Sequence, residues 1–134
     1  MVTQIHTENG IFRLLTVHFH VSYECFETLQ IWEDAEKVVN YLNSQEKMPT
    51  ILTGDLNIRN ESMAIKPLRE KLNQESHQFV NTLCRTIHPL FQNEPHHPGL
   101  GIDHIFTSGI IVSSCEIRDV EVSDHLPLVL DFSL

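Results

Sequence analysis

Five apolar positions at helical spacing, Leu29, Trp32, Ala35, Val39 and Leu42, stand with Glu33, Glu36 and Lys37 among them. Such a stripe predicts an amphipathic helix of four to five turns beginning after Phe26, with its apolar face turned to a core. On its N-terminal side the run Phe12 to Phe19 is rich in Leu, Val and Phe, which predicts a buried strand ending near His18. On its C-terminal side Pro49 closes the connection, and Thr50 to Thr53 predicts a short strand running straight into Gly54 and Asp55. That second strand therefore delivers a carboxylate to its C-terminal end.

Downstream, Pro67 suits the first turn of a helix, so Lys66 to Leu72 predicts a second one, with Ser62 as its cap. The stretch Asn93 to Gly101 concentrates Pro and Gly and predicts a loop. Strands are expected again at Ile102 to Thr107, Ile110 to Ile117 and Leu128 to Phe132, the first two joined as a hairpin through Ser108-Gly109. Together these elements predict an α/β (α+β) fold, a mixed and largely antiparallel sheet with helices on one face, as a single domain over residues 1–134.

Composition narrows the function classes. A formal charge of −9 opposes attraction to a polyanion, because duplex binding relies on Lys and Arg neutralising phosphates. A phosphate substrate is still admitted, since a bound divalent cation can supply the missing positive charge. The three cysteines, Cys25, Cys84 and Cys115, form no Cys-x-x-Cys pair and are expected to be reduced thiols, mostly buried. No apolar run approaches the roughly 20 residues of a membrane span. Met1 to Gly10 lacks the cationic and apolar regions of a secretory signal, so the expected location is cytoplasmic.

Three polar segments adjoin the apolar strands: Gly54-Asp55-Leu56-Asn57, Gly101-Ile102-Asp103-His104 and Val122-Ser123-Asp124-His125. Each alone is a common turn or cap sequence. As a set at strand ends they point to a shared site. If the backbone stays extended, Asp55 and Asn57 face the same way, and Gly54 permits a close approach. Adjacent Asp124 and His125 can serve one site only if the chain turns there, and Asp103 could orient the His125 imidazole. His18 and His20 share a face of the first strand, leaving open a zinc-binding His-x-His, a phosphate contact by His18, or a structural pair. His96 and His97 fall in the Pro-rich loop and read as solvated, and His88 has no discernible arrangement.

The succession Leu15-Thr16-Val17-His18-Phe19, Ile51-Leu52-Thr53-Gly54-Asp55-Leu56-Asn57, Gly101-Ile102-Asp103-His104-Ile105 and Ser123-Asp124-His125-Leu126-Pro127-Leu128 resembles the endonuclease/exonuclease/phosphatase superfamily, whose members include DNase I-like nucleases, phosphatases and sphingomyelinases. The resemblance implies divalent-metal-dependent hydrolysis of a phosphate ester, with Mg²⁺ or Mn²⁺ as cofactor. It implies Asp55 as the group that positions or deprotonates water, Asn57 as a phosphate or metal contact, and Asp124 as a metal ligand, with Asp55 also near the metal. His125 would contact the scissile phosphate, Asp103 would orient it, and His18 would approach the phosphate from the other side. The substrate could be nucleic acid, phospholipid or a small molecule. Family members also carry an earlier half with an Asn-bearing strand and a Glu metal ligand, which is absent here, and Gln4, Glu8 and Asn9 lack a strand context that would make them substitutes. The chain is therefore expected to form about half of a four-layer α/β/β/α sandwich, with an incomplete metal site and an exposed apolar sheet face that invites a homodimer or a separate half. A noncatalytic interaction module and a His-rich zinc-binding domain are the competing readings.

Overall fold

The computed structural model describes residues 1–22 and 25–134. In chain order the elements are β1 (Val2–Thr7), β2 (Gly10–His18), α1 (Leu29–Ser44), β3 (Thr50–Asp55), α2 (Lys66–Arg69), β4 (Asn73–Gln74), α3 (Pro89–Asn93), β5 (Asp103–Ser108), β6 (Ile111–Ile117) and β7 (Leu128–Ser133). One sheet has the order β1-β2-β3-β5-β4, with β2 and β3 parallel and the other pairs antiparallel. A second sheet consists of β6 and β7 alone. The mixed, mostly antiparallel α/β architecture agrees with the sequence expectation.

The parallel β2–β3 pair follows from the helix between its strands, because a crossover returns the chain in the same direction. Helix α1 begins at Thr28, whose hydroxyl accepts the Ile31 N–H at 3.3 Å. Its Ile31, Ala35 and Val38 pack on Leu15, Leu52 and Phe106, which lie in one row across β2, β3 and β5, and on Ala64, Ile65 and Leu68. Trp32 joins this core rather than standing free as a stacking platform. Each fully buried Leu or Phe here contributes about 1.5–3 kcal/mol of transfer free energy. Side chains of opposite parity, Phe12, Ile51 and Ile105, form the other face, which Leu128, Leu130 and Phe132 of β7 cover. The apolar sheet face expected to lie open is thus largely covered by the β6–β7 pair.

Several boundaries differ from expectation for identifiable reasons. Strand β1, which pairs along β2, was not foreseen, although Asn9-Gly10 is a strong hairpin signal; Gln4 therefore does sit on a strand. Ser108-Gly109 does not join a hairpin, because β3 and β4 already occupy both edges of β5, and the turn instead sends β6 into the second sheet. Helix α2 stops at Arg69 because the chain must extend into β4, and Ser62 does not cap it. The Ser62 hydroxyl instead donates to Glu27 Oε1 at 2.7 Å and accepts the Ala64 N–H at 3.0 Å. The expected loop from Asn93 is preceded by α3, whose Pro89 at the first turn and His88 at the cap give it a readable start. The thiols are all free, Cys25 and Cys84 buried and Cys115 partly so. No helix among the described residues is long and apolar enough to cross a membrane.

Candidate active site

Strand register builds the site. His18 pairs with Asp55 across β2 and β3, and Asp55 pairs with Asp103 across β3 and β5. Side chains alternate along a strand, so these three share the parity of Phe12, Ile51 and Ile105 and form a row at one end of the sheet. Gly54 makes this closeness possible. At φ +151°, a Cβ on it would lie 1.8 Å from the Val17 carbonyl oxygen.

Asp55 Oδ2 lies 3.6 Å from His18 Nε2, and its Oδ1 accepts the Asn57 N–H at 2.8 Å. Burial raises the Asp55 carboxyl above the ordinary carboxylate value, opposed by the Asn57 N–H and reinforced by the neighbouring Asp103 charge. Asn57 does not continue the strand: it adopts φ +49°, so the shared face of an extended Asp-x-Asn is not how it reaches the site. The turn buries its amide, which donates from Nδ2 to the Phe19 carbonyl at 3.2 Å and lies 3.1 Å from His18 Nε2. Its Oδ1 has no hydrogen-bond donor among the described residues.

His125 enters from the far end of the chain. The backbone bends at Val122 to Asp124, then His125 forms an isolated bridge with Leu83, flanked by Cys84 N–H to Asp124 O and Leu126 N–H to Thr82 O, both 2.8 Å. The imidazole Nδ1 lies 2.8 Å from Asp103 Oδ2. This bond, against partial burial, raises the His125 pKa and leaves Nε2 facing outward from the pair. Asp103 Oδ2 also accepts the Thr82 hydroxyl at 2.5 Å. Thr82 is a site residue that the sequence gives no means to find, since nothing in local spacing links it to Asp103. One coordinating atom each from Asp55, Asp103 and His125 lies within 4.8 Å of the others.

Asp124 sits on the exposed rim, its carboxyl held below the usual range first by the Ser123 hydroxyl, which donates to Oδ1 at 3.0 Å. His88 joins it from α3: a ring nitrogen of His88, one of His125 and a carboxylate oxygen of Asp124 fall within 4.8 Å of one another. Desolvation, then the His125 charge, depresses the His88 pKa. His18, Asp55, Asn57, Asp103 and His125 are thus brought together, with Asp124 beside them. His20 is not: its ring Nδ1 lies 2.7 Å from Asp34 Oδ2, and neither cluster of metal-ligating side chains among the described residues contains His18 with His20. His97 is tied to its loop, with Nδ1 accepting the Gly99 N–H at 3.0 Å.

The donor set around the pocket suits a hard cation. Carboxylate oxygens at Asp124 and Asp55 and the amide oxygen of Asn57 are ligands of the Mg²⁺ or Mn²⁺ kind; no thiolate joins these groups among the described residues, and two imidazoles meet a carboxylate at His88, His125 and Asp124. A cavity of about 840 Å³, lined by Arg59, Arg69, Gln74, His77 and Leu100 among others, contains none of these side chains.

His104, on the opposite face of β5, is structural. Its Nε2–H donates to the Ile58 carbonyl at 2.8 Å, and its Nδ1 accepts from Gln74 Nε2 at 3.0 Å. Burial lowers its pKa to about 4. A histidine depressed in the folded state contributes stability above its unfolded value and loses it as pH falls through the folded one. Between pH 6.5 and 4 the wild type is therefore expected to lose about 3 kcal/mol that a His104→Gln variant does not lose, measurable by urea unfolding at both pH values.

The chain matches the model of the Endonuclease/Exonuclease/phosphatase family over residues 3–125. No curated protein sequence matches it. Among solved structures it is similar to a conserved protein of unknown function from Enterococcus faecalis, at 18% identity over 95% of this chain and 52% of that one, with a TM-score of 0.74. It is similar to an endonuclease/exonuclease/phosphatase from Bacteroides vulgatus, at 24% identity over 92% and 50%, with a TM-score of 0.71. It is also similar to a mannosyl-6-phosphatase from Bacteroides thetaiotaomicron, at 19% identity over 92% and 52%, with a TM-score of 0.62. At these identities the likeness is one of fold, and the chain spans about half the length of each of the three. With the family match running through all but the last strand, and the strand-end carboxylates and imidazoles gathered within it, the chain belongs to the endonuclease/exonuclease/phosphatase family.

Proposed function

We propose that this site hydrolyses phosphate esters with the help of Mg²⁺ or Mn²⁺. The observation that carries the reading is the row His18, Asp55 and Asp103 across three strands, closed by His125 on Asp103 at 2.8 Å. A bound divalent cation, held by Asp124 with Asp55 and Asn57, would polarise a phosphoryl oxygen and neutralise its charge.

The side chains supply the remaining chemistry. Asp55, with proton affinity raised by burial, accepts a proton from the attacking water, and the Asn57 N–H fixes one of its oxygens so that the other is free to do so. His125, its Nδ1 committed to Asp103 and its pKa raised, presents Nε2–H to a phosphate or leaving-group oxygen. Thr82 holds Asp103 from behind, so the carboxylate cannot turn away from the imidazole. Asn57 and the largely exposed His18 contact the phosphate from the other side. The charge of −9 favours a small or single-stranded ester over duplex DNA. Because the compared structures are about twice as long, the reading includes a second segment or chain that contributes a further metal carboxylate.

Hydrolysis of bis-p-nitrophenyl phosphate tests this. With that second segment or chain present, turnover is expected with added Mg²⁺ or Mn²⁺ and should vanish on chelation; equal rates with and without chelator would refute the metal-assisted reading.

A further inference from the structure

The site is short of cationic donors for a phosphate. Among the described residues no Lys or Arg pairs with Asp55, Asp103 or Asp124, and Arg85 is committed to the His97 and Pro98 carbonyls. Imidazoles must therefore carry much of the hydrogen bonding to the phosphoryl oxygens, and the sheet row supplies only His18 and His125.

His88 stands beside them. Its position is fixed by α3, where it is the cap residue and Pro89 follows in the first turn. The Leu90 N–H donates to His88 Nδ1 at 3.1 Å. An Nδ1 that accepts carries no proton, so in the neutral ring the proton is on Nε2. In either protonation state Nε2–H is a donor rather than a lone pair. His88 cannot ligate a metal through Nε2 without giving up the helix cap, despite its proximity to Asp124 and His125. Its ring meets that of His125 edge to face at 5.8 Å between centroids. No hydrogen-bond partner for Nε2 exists among the described residues.

Resting on the phosphoesterase reading, we propose that His88 is a substrate-contacting residue of this site, whose Nε2–H donates to a non-bridging oxygen of the phosphate on the Asp124–His125 side. It serves as a third imidazole, on a helix outside the sheet that carries the others.

Long-range ¹H–¹⁵N spectra of histidine-labelled protein, titrated with inorganic phosphate in Mg²⁺, test this together with His88→Asn. Asparagine keeps a side-chain oxygen to cap Leu90 but has nothing at the Nε2 position. The free protein should show His88 as the Nε2–H tautomer, with its ring signals moving along the same saturation curve as those of His125. His88→Asn should weaken phosphate binding, read at His125, about 10-fold, as expected for a lost hydrogen bond to a charged group. An Nδ1–H tautomer, a His88 ring indifferent to phosphate while His18 and His125 respond, or unchanged affinity in His88→Asn would each overturn the proposal and leave the phosphoesterase reading standing. If no imidazole responds to phosphate, that reading fails and the proposal falls with it.

Discussion

Asp103→Asn is expected to slow hydrolysis of bis-p-nitrophenyl phosphate by about 10²–10⁴-fold while the protein stays folded. The reason is the double use of one oxygen. Asp103 Oδ2 accepts both from the Thr82 hydroxyl and from His125 Nδ1. An asparagine offers either one accepting oxygen or an NH₂ in its place, and an NH₂ facing His125 makes Nδ1 the acceptor, so the ring stays neutral with its one proton on Nε2 and can become the imidazolium only by breaking that hydrogen bond. The imidazolium also loses the carboxylate that raises its pKa. A group raised in the folded state contributes stability that is fully present below its unfolded pKa and lost as pH rises through the folded value. The variant should therefore melt lowest relative to wild type below about pH 6.5, with the gap closing at alkaline pH. A rate within twofold of wild type would show that Asp103 does not orient the imidazole for chemistry.

Gly54→Ala should cost more in structure than any exchange of a polar site residue. A methyl group there would overlap the Val17 carbonyl, a backbone atom held in the parallel β2–β3 pairing that cannot swing aside. The left-side φ of +151° adds strain for an L side chain. Relief requires parting the two central strands where His18 and Asp55 face each other, so stability and site geometry fail together. A loss of about 3 kcal/mol, or roughly 10 °C in Tm, is expected in thermal melts, with binding of phosphate lost even below the transition. A variant that melts like wild type would mean the strands tolerate separation at this point.

Sequence made the sheet-borne part of this site legible because each strand announces its own end. Thr50 to Thr53 running into Gly54-Asp55 marks a polar group where one apolar run stops, Asp103 marks one where the next begins, and their alignment follows from the antiparallel β3–β5 pairing. What escaped depends on contacts that spacing does not encode. Thr82 reaches Asp103 through a hydrogen bond spanning 21 residues, and Cys84 and Thr82 anchor Asp124 and Leu126, on either side of His125, by backbone bonds that any residue could make. Asn57 kept its place in the site but not the expected geometry, because a left-handed turn replaced the extended backbone that would have aligned it with Asp55. His88-Pro89 was readable as a helix start, yet only the fold brings that start to His125. The failed Ser108-Gly109 hairpin has a similar origin, since the edge it needed was taken by β4, a two-residue strand too short to leave a pattern.

The central claim is that Asp55 and His125, contributed by distant parts of the chain, belong to one metal-assisted phosphoesterase site. Steady-state hydrolysis of bis-p-nitrophenyl phosphate, measured with and without Mg²⁺ for the wild type, Asp55→Ala and His125→Ala, tests it most directly. The account predicts metal-dependent turnover in the wild type that falls by about 10²-fold or more in each variant while both variants remain folded at the assay temperature. Equal rates in all three proteins, or a wild-type rate indifferent to Mg²⁺, would contradict it.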